Sequence, residues 1–169
     1  MTGVRVCLDT RGLNSILPDE QFTLPLVRDI FEAIAGFSLA TRLDLEDSFN
    51  QLPIVPSDRI KTTFTFQRTR YMFIGAPFGI KTLSAHLQRV LSILLEGCEA
   101  FAIHFIDDII IFSNSVEDHI RHLRAVILLL NSANLKLREA KCLWVKEELE
   151  LLGHVVTSST LRADPRKQS

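Results

Sequence analysis

The chain has 169 residues, 47% hydrophobic and 23% charged, with 19 Lys and Arg against 20 Asp and Glu. That is room for one ordinary domain with a core of its own, in the composition of a globular protein. A net charge of −1 gives no basic excess of the kind that marks a nucleic-acid binder, and no apolar run approaches the roughly 20 residues of a membrane span. Arg5, Asp9 and Arg11 interrupt the N-terminus too early for a secretory signal. Cys7, Cys98 and Cys142 are far apart and form no C-x-x-C pair, so reduced, half-buried thiols in an intracellular protein are expected.

In chain order, residues 5–8 read as a short strand and residues 9–14 as a turn. Pro25 opens a helical pattern carried by Leu26, Ile30, Phe31 and Ile34, and Gly36 stops it. Residues 37–45 form a strand that ends in acid. Residues 61–66 and 70–74 suggest a hairpin. A helix is expected over about residues 82–96, closed by Gly97, and then two strands, 100–105 and 109–113, parted only by Ile106, Asp107 and Asp108. Ser115 caps a helix on which Ile120, Leu123, Ile127 and Leu130 recur at three- and four-residue steps. Residues 135–137, 142–145 and 151–157 read as strands. Hairpins outnumber crossover helices, so the fold class is α+β, an antiparallel sheet with helices packed on one face.

Asp107 and Asp108 are the most informative residues. Adjacent acids in a hairpin are ordinarily a solvated turn. Here their apolar flanks reduce screening of their repulsion, and neither is followed by the Gly that favours a two-residue turn. A divalent cation relieves such repulsion. Asp44 closes another strand-like run, and its ordinary reading is a strand end or the cap of a short helix starting at residues 46–48. If its strand adjoins the hairpin, three acids meet at one sheet edge, a donor set suited to Mg2+. Two such ions about 3.5–4 Å apart support phosphoryl transfer.

With those residues in place, the chain resembles the reverse transcriptases of retroviruses and gypsy-type LTR retrotransposons. Arg5, Cys7, Asp9, Arg11, Leu13 and Asn14 follow the R-x-C-x-D-x-R-x-L-N pattern of the family's fingers. Leu43, Asp44 and Leu45, with Phe49 and Gln51, are similar to its L-D-L-x-x-x-Y/F-x-Q motif. Lys61 to Phe64 resembles K-T-A-F, residues 77–81 resemble P-F-G-L-K, and Gln88 with Arg89 matches the Q-R of the next helix. Phe105, Ile106, Asp107 and Asp108 resemble Y-x-D-D, Lys141 with Cys142 the K-C piece, and Leu152, Gly153 and His154 the L-G-H piece. Each is short; eight in order make a specific signal.

The resemblance implies a polymerase palm, about residues 38–59 and 81–169, with partial fingers at about 1–37 and 60–80. It implies RNA-directed DNA synthesis from deoxynucleoside triphosphates. Asp44, Asp107 and Asp108 would be catalytic and bind two Mg2+ ions, with Mn2+ as a substitute. Arg5, Leu45, Phe49, Phe78 and Gly79, with Pro77, would bind the nucleotide, Phe49 excluding a 2′-hydroxyl; core packing is the alternative for Phe49. Leu152, Gly153 and His154 would hold the primer end. Partners would be an RNA or DNA template-primer and the polyprotein's thumb, ribonuclease H and integrase, with no membrane, in a cytoplasmic particle or the nucleus. The chain is expected to be a fragment without thumb, connection or ribonuclease H. Glu46, Asp47 and Ser48 depart from the usual basic-small-Gly run, Thr82, Leu83 and Ser84 from N-A-P, and Leu87 from Phe.

Three rivals are weaker. A receiver domain needs a helix, not the strand-like residues 109–112, after its acids. His119 and His122, with His86 or His104, could be imagined as a zinc site, but solvated helix histidines are the plainer reading. An inactive remnant that binds nucleic acid weakly is the non-enzymatic alternative. Trp144 is read as core.

Overall fold

The computed structural model describes residues 7–20, 27–34, 36–151, 154–157 and 161–163, except for the side chains of 27–29 and 161–163. The helices are α1 (Arg11–Ile16), α2 (Val27–Ala33), α3 (Leu83–Leu94) and α4 (Val116–Ser132). The strands are β1 (Leu39–Asp44), β2 (Phe64–Phe66), β3 (Thr69–Tyr71), β4 (Ala102–Phe105), β5 (Asp108–Ser113), β6 (Leu143–Lys146), β7 (Glu148–Leu151), β8 (His154–Thr157) and β9 (Leu161–Ala163). The chain forms two compact units: Met1–Phe22 with Asp47–Leu87, and Thr23–Glu46 with Gln88–Ser169.

The second unit holds a four-stranded sheet in the order β4-β5-β1-β6 and a three-stranded sheet, β7-β8-β9. All of their pairings are antiparallel. Alternation along β1 sends Ala40, Arg42 and Asp44 to one face and Leu39, Thr41 and Leu43 to the other. The first face carries Ala40 and Ile110 into a core with Ile30, Phe31 and Ile34 of α2 and Leu149, Leu151 and Val156 of the smaller sheet. On the other face, Thr41 and Ser113 meet His119 of α4, and His104 meets Ser92 of α3. The fold is therefore α+β and antiparallel, as expected. The Ser115 side chain accepts the Asp118 N–H at 3.1 Å, which starts α4 where the sequence indicates.

The first unit holds the β2–β3 hairpin, in register Phe64 to Tyr71 and Phe66 to Thr69. Gly75 is bridged to Pro53, and a Cβ there would lie 1.8 Å from the Asn50 carbonyl oxygen, so only glycine fits.

Several sequence expectations need correction. Residues 5 and 6 lie outside the described residues, 7 and 8 form no strand, and the expected turn over 9–14 contains α1. That helix is anchored by tertiary bonds from Thr10 and Asn14 to the Gly79 carbonyl, which periodicity does not register. The strand expected from residue 61 begins only at Phe64, because Pro56 opens a 3-10 helix, Pro56–Thr62. Residues 135–137 contribute a single bridge, Leu45 to Leu137. Residues 151–157 are not one strand: β7 ends at Leu151 and β8 starts at His154, paired with it. Trp144 is 39% exposed, outside the core, and Cys7 is exposed while Cys98 and Cys142 are buried.

Candidate active site

Asp44 ends β1 and Asp108 begins β5, and the two are register partners. Directly opposed side chains in an antiparallel pair start about 5 Å apart, where like charges oppose folding. Asp107 sits one residue outside the ladder, its carbonyl accepting the Leu45 N–H at 3.4 Å. The backbone thus brings all three acids to one end of two adjoining strands. Asp44 is fixed through its main chain, its N–H donating to Cys142 Sγ at 3.4 Å and its carbonyl accepting from Arg138 N–H at 2.9 Å.

The charges at this edge interact. Burial pushes the Asp108 carboxyl above its ordinary value; Arg42 pulls it down, Asp107 and Asp44 push it up again, and Lys141 lowers it. Three hard oxygen donors on adjoining strands suit a divalent cation in kind. As placed, the side chains are not drawn into one ligand shell: among the described residues no three His, Cys, Asp or Glu side chains are gathered closely enough to hold a metal ion.

The turn between β4 and β5 is unusual. Ile106 has φ +56°, a left-handed conformation that a β-branched residue adopts at a cost. Gln88 of α3, 2% exposed, holds it: the Ile106 N–H donates to Gln88 Oε1 at 2.8 Å, and Gln88 Nε2 donates to the His104 carbonyl at 3.3 Å. Gln88 was visible in the sequence only as half of a motif; its task emerges once α3 is packed beside the hairpin.

In the first unit, two motif pieces meet. Gly79, at φ +106°, offers its carbonyl to Thr10 Oγ1 and to Asn14 Nδ2, both at 2.8 Å. Asn14 Oδ1 in turn accepts the Lys81 N–H at 3.0 Å. Helix α1 thereby pins the loop of Pro77, Phe78 and Gly79. The Phe49 and Phe78 rings lie 6.0 Å apart, and Phe78 is 67% exposed. The Leu45 side chain is buried, and its main chain is engaged with Asp107 and bridged to Leu137, so the structure does not turn it toward a nucleotide. In the second unit, the His154 ring meets Phe31 edge-on at 5.2 Å. Arg5, Leu152 and Gly153 lie outside the described residues.

The helix histidines are not solvated as expected. His119 is buried between Thr41 Oγ1 (2.8 Å from Nε2) and Ser113 Oγ (3.0 Å from Nδ1), and Ser113 Oγ also meets His122 Nδ1 at 2.8 Å. His122 stacks on Phe101 with ring centroids 4.0 Å apart. These are packing and hydrogen-bonding roles.

An antiparallel sheet packed with helices, carrying acids at the ends of adjoining strands, has the architecture of a polymerase palm. Known proteins agree. The reverse transcriptase (RNA-dependent DNA polymerase) family matches residues 1–156. The retrovirus-related Pol polyproteins of the Drosophila melanogaster transposons gypsy and opus are each 32% identical over 164 residues, 96% of this chain and 16% of theirs. The Schizosaccharomyces pombe transposon Tf2-3 polyprotein is 28% identical over 155 residues, 91% of this chain and 12% of its own. Among solved structures, a foamy viral protease-reverse transcriptase in complex with double-stranded DNA superposes with a TM-score of 0.88 at 21% identity, over 96% of this chain and 28% of that one. The same viral protein with an RNA/DNA hybrid gives 0.85 at 20% identity, over 94% of this chain and 21% of that one. The chain belongs to the reverse transcriptase family, and it spans a small part of the length of the polyproteins it matches.

Proposed function

We propose that this chain is the palm and part of the fingers of a retroelement polymerase that copies RNA or DNA templates into DNA from deoxynucleoside triphosphates. The observation that carries the reading is the register of Asp44 against Asp108 with Asp107 beside them. On this reading the three carboxylates hold two Mg2+ ions, which when bound would favour ionisation of the primer 3′-hydroxyl and stabilise the departing pyrophosphate. The chain's own part is positional. Gln88 and the turn at Ile106 hold Asp107 and Asp108 in place, and the Leu45 N–H fixes the Asp107 main chain. Phe49 and Phe78, with the loop at Gly79, form the nucleotide platform, Phe49 rejecting a 2′-hydroxyl. His154, with Leu152 and Gly153, carries the primer end.

The test is primer extension on an RNA template with Mg2+ and four deoxynucleotides, using the chain alone and joined to the thumb of a related polyprotein. Extension that Asp107→Asn abolishes while thermal unfolding stays unchanged supports the reading. Extension that survives Asp107→Asn sinks the assignment, and none in either form favours an inactive remnant.

A further inference from the structure

Arg42 stands two residues before Asp44, so both side chains leave β1 on the same face. Its register partner, Ile110, is two residues beyond Asp108, which puts the guanidinium alongside that carboxylate. Arg42 Nε lies 3.7 Å from Asp108 Oδ1, and the two side chains are 25% and 28% exposed. Arg42 Nη1 donates at 3.0 Å to the main-chain carbonyl of Glu150 in β7. The guanidinium is thus tethered at one end to the smaller sheet while its other edge faces the acids.

The contact with Asp108 is an attraction without a hydrogen bond. Arg42 Nε is buried and has no hydrogen-bond partner among the described residues, and 3.7 Å is beyond hydrogen-bond reach. A positive charge so placed offsets the crowding of Asp108 by Asp44 and Asp107, yet releasing the carboxylate breaks no hydrogen bond. Arg42 and Lys141 both favour the charged form of Asp108, and Arg42 is the one that comes within 4 Å of its carboxylate among the described ion pairs.

We infer that Arg42 is the internal counter-cation of Asp108, tethered by the Glu150 carbonyl and displaced from the carboxylate when a divalent cation binds. This rests on the proposed metal role of the acids. It makes Arg42 a positioning residue and a competitor: it steadies the metal-free edge and sets how tightly a cation must bind to take Asp108.

The experiment is a Mn2+ titration of the full chain followed by electron paramagnetic resonance, at pH 8 so that carboxylates are ionised. Arg42→Met should bind Mn2+ about tenfold more tightly, the order expected when one charge some ångströms from a divalent ion is removed in a partly solvated site. Arg42→Lys, which keeps the charge and protects the test against misfolding of the apolar variant, should bind like the unaltered chain. Lys141→Met should tighten binding less than Arg42→Met. Equal affinity in Arg42→Met and the unaltered chain, or an equal gain from Lys141→Met, overturns the pairing while leaving the carboxylate site standing. If the unaltered chain binds no Mn2+, or Asp108→Asn binds it equally well, the metal reading fails and this inference with it.

Discussion

Replacing Gln88 by Met keeps the length of the side chain and removes both of its hydrogen bonds. The bond from the Ile106 N–H is short, at 2.8 Å, and the one to the His104 carbonyl is weak, at 3.3 Å. A lost hydrogen bond of this kind costs about 1 kcal/mol, and more where the abandoned N–H is shielded from water. Ile106 is only partly buried, so water can recover some of that loss. The left-handed conformation of Ile106 already costs the unaltered chain 1–2 kcal/mol or so, a strain that Gln88 helps to hold in place and that adds nothing to the loss. Part of this strain is relieved if the turn relaxes. The net expectation is destabilisation by about 2 kcal/mol, which for a chain of this size lowers the thermal midpoint by roughly 4–8 °C. Thermal unfolding measures the total, and amide exchange at Ile106 measures the local part, which should rise in the variant. A loss below about 0.5 kcal/mol with Ile106 still protected would refute the reasoning, because the β4–β5 ladder alone would then be holding the turn.

Two further outcomes follow from the packing. Burial lowers the His119 pKa below its ordinary 6.5, so the folded ring stays neutral where the unfolded one gains a proton. The contribution of His119 is then intact above 6.5 and is lost as pH falls through the folded value. Denaturant unfolding at pH 7.5 and 5.5 should show a larger drop in the unaltered chain than in His119→Leu, and equal drops would remove the assignment. Gly75→Ala drives a Cβ to 1.8 Å from the Asn50 carbonyl oxygen, so it should cost about 3 kcal/mol or more, read as an early unfolding transition. A Gly75→Ala chain that unfolds normally would mean the loop at Asn50 yields freely.

What the sequence revealed depended on whether local chemistry or tertiary contact decides each element. β5 is an apolar run between Asp108 and Ser113, and β1 and β4 are short strand-like stretches leading into the acids. α4 has a cap at Ser115 and a periodic pattern, although Ile120 of that pattern is exposed while His119 and Val126 are buried. These are legible. Helix α1 is not, because residues 9–14 are turn formers, and the anchoring bonds from Thr10 and Asn14 go to the distant Gly79 carbonyl. The hairpin of β7 and β8 was hidden because residues 149–156 include many apolar positions with no strong turn former besides Gly153. His119 looked like a surface residue on a polar helix until Thr41 and Ser113 were brought against it from two strands.

The candidate site divides in the same way. Asp44, Asp107 and Asp108 can be picked out because paired acids among apolar strands conflict with ordinary folding preferences, and a conflict with such preferences is a signal. Gln88 and Arg42 give no such signal. A Gln on a helix and an Arg on a strand are commonplace, and their tasks exist only through register, which sets Ile106 against Gln88 and Asp108 beside Arg42. Pairing Asp44 with Asp108 across two strands works against folding, as like charges in register do. A chain selected for stability alone would do better with an apolar pair there. Under the proposed metal role, a bound cation would relieve that repulsion, and the turn clamped by Gln88 at Ile106 would keep the acids at this edge in its absence.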